Sequence, residues 1–166
     1  MTSDPVYILD SSVLIEAARR YYAFDLAPLF WQSLVNNAIE GRIQSIDRVK
    51  QELERGKDEL AEWVKKDFSS AFASTDDPSV LQSLSEIMSW VQGNNQYSQA
   101  AKTQFADIAD CWLVAYAKAK NGTVVTQEII QPYVKARVPI PNVCQAFSVP
   151  YVNTFEMLRS LGIRFS

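Results

Sequence analysis

The chain has 166 residues, is 48% hydrophobic and carries a net charge of −3, with two cysteines and no histidine. This suits one domain with its own core and argues against global disorder. The missing histidine removes Ser-His-Asp and Cys-His catalysis, and two cysteines are too few to close a tetrahedral zinc site.

Met1-Thr2-Ser3-Asp4 lacks the basic start of a signal peptide. No apolar run approaches the ~20 residues that span a bilayer, so a cytoplasmic location is expected. Val6-Tyr7-Ile8-Leu9 is short and apolar, as in a buried parallel strand, and points at Asp10. Ser11 or Ser12 is placed to cap a helix whose inner face is Val13, Leu14, Ala17 and Ala18. Tyr21 to Asp25 break that pattern. Pro28 opens a second helix running to about Gly41. The alternating stretch 42–46 reads as a second strand leading to Asp47, the expected N-cap of a helix 48–55 that Gly56 ends.

A helix over 57–66 would bury Leu60, Trp63 and Val64. Residues 68–72 are too short to assign. Further helices are expected over 79–91, 99–105 and 107–120, the last closed by Asn121-Gly122 ahead of a strand at 123–126. Pro132, Pro139 and Pro141 mark an irregular stretch, with residues 138–140 a candidate strand. Thr154 is the expected cap of a final helix, 155–161, and residues 163–165 are a last candidate strand. Strands alternating with helices imply an α/β layer fold with a mostly parallel sheet. Cys111 and Cys144 read as reduced, buried thiols.

Four acids fall where strands end or the following helices begin: Asp10, Glu52, Asp110 and Glu128. In a parallel sheet these positions share one edge, where ligands bind. Clustered carboxylates repel one another unless a cation compensates them. One or two hard ions, Mg²⁺ or Mn²⁺, would do so and would activate water against a phosphodiester without histidine. Each acid has a plainer reading as a helix cap or a solvated charge. Asp107 competes with Asp110, being one turn earlier on the same expected helix.

The segments Tyr7-Ile8-Leu9-Asp10-Ser11-Ser12, Val49-Lys50-Gln51-Glu52-Leu53, Ala109-Asp110-Cys111-Trp112-Leu113-Val114-Ala115-Tyr116-Ala117 and Val124-Val125-Thr126-Gln127-Glu128, in this order, resemble a PIN-domain protein of the VapC-like toxin type. Two late stretches, 140–144 and 158–165, look like a less studied PIN-like subgroup. The resemblance covers nearly the whole chain, 1–166, as a single domain. It implies a three-layer α/β/α fold with a central, mostly parallel sheet. It implies a metal-dependent ribonuclease with Asp10, Glu52, Asp110 and Glu128 as the acidic set, Asp10, Asp110 and Glu128 holding the metal, and Ser12 and Thr126 as hydroxyls beside it. It also implies an RNA substrate, a cognate antitoxin and, often, a homodimer. Asp107 is an outer candidate. Asn142 stands where an acid would be natural, and offers only a carbonyl oxygen. Glu128 replaces the family's more frequent Asp.

Lys50, Lys135 and Arg137 are candidate phosphate contacts around the crevice, against a reading as simple surface charge. Tyr21, Tyr22, Phe24, Phe30 and Trp31 form an aromatic cluster suited to core packing or an interface. Two rivals remain. A haloacid-dehalogenase-type phosphatase would need an Asp where Ser12 stands. A PIN-like RNA- or protein-binding module with a degraded site would tolerate Glu128 and Asn142.

Overall fold

The computed structural model describes residues 4–165. Met1–Ser3, on which the expectation of no signal peptide rests, and Ser166 lie outside the described residues. Strand β1 (Tyr7–Leu9) is buried at every position. Successive side chains on a strand point to opposite faces, so β1 must be covered on both. The same holds for β4 (Thr123–Val125). With β2 (Ile43–Ile46), β3 (Phe72–Ala73) and β5 (Tyr151–Val152) they form a five-stranded sheet in the order β3-β2-β1-β4-β5. All four pairings are parallel.

The covering layers are helices: α1 (Ser11–Glu16), α2 (Pro28–Ile39), α3 (Asp47–Arg55), α4 (Glu59–Lys66), α5 (Pro78–Gln92), α6 (Gln99–Asp107), α7 (Ala109–Lys120), α8 (Ile140–Ala146) and α9 (Thr154–Ser160). The result is the expected α/β/α arrangement. Most of the aromatic cluster belongs to its core: Phe30 and Trp31 are buried, while Tyr21 is exposed, Tyr22 stacks on Phe30 at 4.2 Å, and the Trp31 indole donates to the Tyr22 carbonyl.

The topology positions the site. From β1 the chain steps outward through β2 to β3, then returns through α5, α6 and α7 to β4 on β1's other flank. Connections leaving β1 and β4 therefore diverge and open a crevice at their C-terminal ends. Leu9 and Val125 are register partners, which makes Asp10 and Thr126 the next residues beyond the sheet edge. Asp10 N–H donates to the Val125 carbonyl at 2.9 Å, and Thr126 N–H to the Val152 carbonyl at 3.0 Å.

Several expectations shift. The boundary between the helices expected over 99–105 and 107–120 moves: α6 runs on to Asp107, and extended Ile108 (φ −113°, ψ 168°) ends it and serves as the N-cap of α7. Asp47 is the first residue of α3 and not its cap; its carboxylate accepts from the Thr75 amide and hydroxyl, tying α3 to the loop after β3. Asn153, one residue before Thr154, caps α9 in a capping box with Glu156. Residues 138–140 do not form a strand, because Pro139 leads directly into α8. The fifth strand is 151–152, and residues 163–165 are irregular. In the unassigned stretch 68–72, Ser69–Ala71 form a single 3-10 turn and only Phe72 belongs to a strand, the first residue of β3.

Candidate active site

Asp10 is 2% exposed at the end of β1. Its Oδ2 accepts from the Ser12 hydroxyl at 2.6 Å and the Thr126 hydroxyl at 2.9 Å. Each hydroxyl in turn accepts a backbone N–H: Ser12 Oγ from Gln127 at 3.2 Å, Thr126 Oγ1 from Glu128 at 3.1 Å. The amides thus commit both hydroxyl protons to Asp10. This pair of relays ties loop 126–128 to the β1 carboxylate. Burial pushes the Asp10 carboxyl's pKa up, the two hydroxyls pull it down, and Glu52 raises it further. The Ser12 hydroxyl is thus engaged with Asp10, and no side chain caps α1.

Asp110 sits in the first turn of α7. Its carboxyl is pushed up to about 8, first by burial and then by the charges of Asp10, Glu128 and Glu52; Arg137 opposes them. Among the described residues no hydrogen bond reaches its carboxylate. Glu52, on α3, accepts the Ala109 N–H at 3.1 Å. Glu128 Oε1 accepts from the Arg137 guanidinium and from the Ile140 N–H at 3.3 Å. Burial and Asp10 raise the Glu128 carboxyl while Arg137 lowers it. A cleft of about 270 Å³ opens beside Asp110 and Arg137, walled by Gln104, Phe105, Ile108 and Val138. A second, of about 370 Å³, runs from Thr126 and Glu128 to Phe155.

The structure therefore brings Asp10, Glu52, Asp110, Glu128, Ser12, Thr126 and Arg137 into one neighbourhood. It does not pre-assemble a cation cage: among the described residues no three Cys, Asp or Glu side chains stand together as a ready metal site. Asp10 is turned toward its hydroxyls, Glu52 toward α7 and Glu128 toward Arg137.

Two supporting candidates have other surroundings. Asp107 is exposed at the end of α6, cut off from Asp110's helix by extended Ile108. Asn142 is buried. Its amide donates to the Tyr97 hydroxyl at 3.0 Å and the Gln131 carbonyl at 2.8 Å, and its own carbonyl oxygen is taken by the Gln131 N–H at 3.0 Å. Lys50 pairs with Glu54 at 3.7 Å, and Lys135 is exposed with its carbonyl accepting the Ser98 N–H. Arg48, not singled out in the sequence, lies 3.9 Å from the Trp112 ring centre; nothing in the spacing of 48 and 112 signals that contact. Cys111 and Cys144 are buried thiols, as expected, and burial pushes them up to about 11 and 12.

Two solved structures share this architecture, and with it the PIN-like fold that the motifs resemble. One is VapBC2 from Rickettsia felis bound to a DNA fragment from their promoter: TM-score 0.52, 17% identity, covering 89% of this chain and 98% of that one. The other is FitAcB from Neisseria gonorrhoeae: TM-score 0.52, 19% identity, covering 90% and 99%. At the level of sequence, residues 7–165 match the family described as Domain of unknown function (DUF4411), and the chain belongs to that family. No curated protein matches it.

Proposed function

We propose that this chain is a cytoplasmic, Mg²⁺- or Mn²⁺-dependent ribonuclease formed by a single PIN-like domain, and the toxin of a type II toxin–antitoxin pair. The observation that carries the reading is the Asp110 carboxyl. It stands in the first turn of α7 with no hydrogen bond reaching its carboxylate among the described residues, and burial and three other carboxylates push it up to about 8 against the opposing charge of Arg137. Such a pocket holds more negative charge than its side chains compensate, and an all-oxygen donor set fits a hard divalent cation. Asp10, Asp110 and Glu128 would hold the ion. When bound, the ion would neutralise charge on a phosphodiester and lower the pKa of a water for attack.

The chain's own residues prepare this chemistry. Ser12 and Thr126 hold one oxygen of Asp10 and favour its ionised form. Glu52 fixes the first N–H of α7 and with it the backbone next to Asp110. Arg137 lines the cleft beside Asp110, where a backbone phosphate would lie. Lys50 and Lys135 would add weaker phosphate contacts. The two neighbours are VapBC2 and FitAcB. They support a cognate antitoxin as partner, and a homodimer is consistent with the VapC-like resemblance.

A second reading has its own observation. Arg137 already occupies Glu128, and no ready cation group is present among the described residues. That would suit a degraded PIN-like module that binds RNA or protein without cutting. One experiment decides between them: RNA cleavage by wild type, Asp10→Asn and Asp110→Asn, with Mn²⁺ and with chelator. The nuclease reading expects Mn²⁺-dependent cleavage by wild type and its loss in both variants. Equal activity in all three, or none with Mn²⁺, ends it.

A further inference from the structure

We propose that Arg137 is a resident cation that the acid pocket exchanges for the divalent ion: it holds Glu128 in the metal-free protein and is released into the adjoining cleft, to take a substrate phosphate, when the ion binds. This rests on the reading of the acids as a metal site.

Three observations carry it. First, the Arg137 guanidinium is bonded to Glu128 Oε1, and the two side chains differ in exposure, 48% for Arg137 against 16% for Glu128. The acid is fixed and the cation reaches it from the solvent side, so the arginine is the partner free to leave. Second, Glu128 Oε1 keeps a backbone partner, Ile140 N–H, when the arginine goes. Departure therefore does not strand that oxygen without a donor. Third, Arg137 lines the cleft of about 270 Å³ together with Asp110, and its charge acts on Asp110 as well as on Glu128. One step away from Glu128 lies open space beside the central acid.

The physics favours an exchange. A guanidinium and a divalent ion compete for the same carboxylate, and the ion brings twice the charge to a pocket of four acids. Arginine stays charged at every accessible pH, and its planar fork matches a phosphate. Two effects of opposite sign follow. Removing Arg137 frees Glu128 and tightens the ion, but it also removes a phosphate contact. A residue that merely supported the loop would weaken both on removal.

The test is calorimetric titration of Mn²⁺ into wild type, Arg137→Gln and Arg137→Lys near neutral pH, with thermal melts as a check on folding, followed by KM and kcat on a short single-stranded RNA. Arg137→Gln is expected to bind Mn²⁺ roughly two- to fivefold tighter, the scale of a part-exposed ion pair, while its KM rises roughly threefold or more. Arg137→Lys keeps the charge without the fork and should fall between the two in both. Unchanged or weaker Mn²⁺ binding by folded Arg137→Gln overturns the exchange while leaving the metal site standing. Tighter Mn²⁺ with unchanged KM overturns the release onto phosphate. A wild type that binds no Mn²⁺ overturns both this and the metal site.

Discussion

Glu52 Oε1 and the amide of Ala109, 57 residues apart, meet at 3.1 Å. An acid of α3 thereby caps α7, whose own N-cap, Ile108, has no side chain able to do so. Helix N-termini leave N–H groups without intrahelical partners, and losing a capping acceptor costs about 1 kcal/mol. Glu52→Ala should therefore lower the unfolding free energy by about 1–2 kcal/mol. Glu52→Gln, which keeps the acceptor and drops the charge, should stay near wild type. Urea unfolding of both variants checks this, and equal losses would refute the capping role.

The charge at Asp110 makes stability depend on pH in a direction that can be stated. Its carboxyl titrates near 8 in the fold against an ordinary 3.8. Between those values the folded chain keeps a proton that the unfolded chain releases. Stability from this group is fully present below about 4 and is lost as pH rises through 8. In chelator, wild type should melt progressively lower from about pH 5 to about pH 8. Asp110→Asn should flatten that slope and be the more stable of the two at the alkaline end. Thermal melts across pH check it. A variant slope as steep as wild type's would place the repulsion elsewhere.

The two hydroxyls on Asp10 make the next prediction. Each donates to the same buried carboxylate oxygen while accepting a loop amide. Hydrogen bonds to charged groups contribute about 1.5–3 kcal/mol. Ser12→Ala and Thr126→Val should each raise the Asp10 proton affinity and weaken Mn²⁺ binding by about tenfold or more. Calorimetry at several pH values reads both. Unaltered Mn²⁺ affinity in either variant would leave that hydroxyl a purely structural tie.

Much of this was legible from residue type and order. A four-residue apolar run before Asp10, Pro28 at a helix start, and Asn121-Gly122 closing α7 are local signals, and each marks an element that forms. Asn121 takes the left-handed cap conformation, φ 56°. What was not legible depends on distant partners. Strand β3, two residues long, is a strand only because Ser45 and Ile46 pair with it. The break between α6 and α7 falls at Ile108, two residues beyond the expected one, and the acceptor that makes it tolerable, Glu52, lies on another helix. Arg137 could be read as a cation near the crevice, but its bond to Glu128 depends on how Pro139 directs the chain into α8.

Gly122 gives a purely structural prediction. A Cβ there would stand 2.7 Å from Ile8 Cγ1 and 3.1 Å from Ile8 Cδ1. Cγ1 moves only if Ile8 changes its χ1 rotamer, which a buried β-branched side chain resists, so either Ile8 repacks or the strand yields. Gly122→Ala should destabilise the protein by about 1–3 kcal/mol, read by urea or thermal unfolding, and wild-type stability would show that β1 shifts freely. Displacement of β1 would also move Asp10, two residues on, so weaker Mn²⁺ binding should accompany the loss.

Asn142 separates a structural polar residue from a metal ligand. Its side-chain amide donates to Tyr97 and Gln131, and its carbonyl oxygen accepts the Gln131 amide. An acid at this position has the shape of the asparagine but neither donor. Asn142→Asp would set a buried carboxylate oxygen against the Gln131 carbonyl and strip the Tyr97 hydroxyl oxygen of its donor. Leaving buried groups without partners costs about 1–3 kcal/mol, more for a charge. The variant should thus unfold at lower denaturant and bind Mn²⁺ no better than wild type, because the side chain is directed into the packing between α8 and the loop after β4. Tighter Mn²⁺ binding by Asn142→Asp would put position 142 among the ligands and make the asparagine a lost acid.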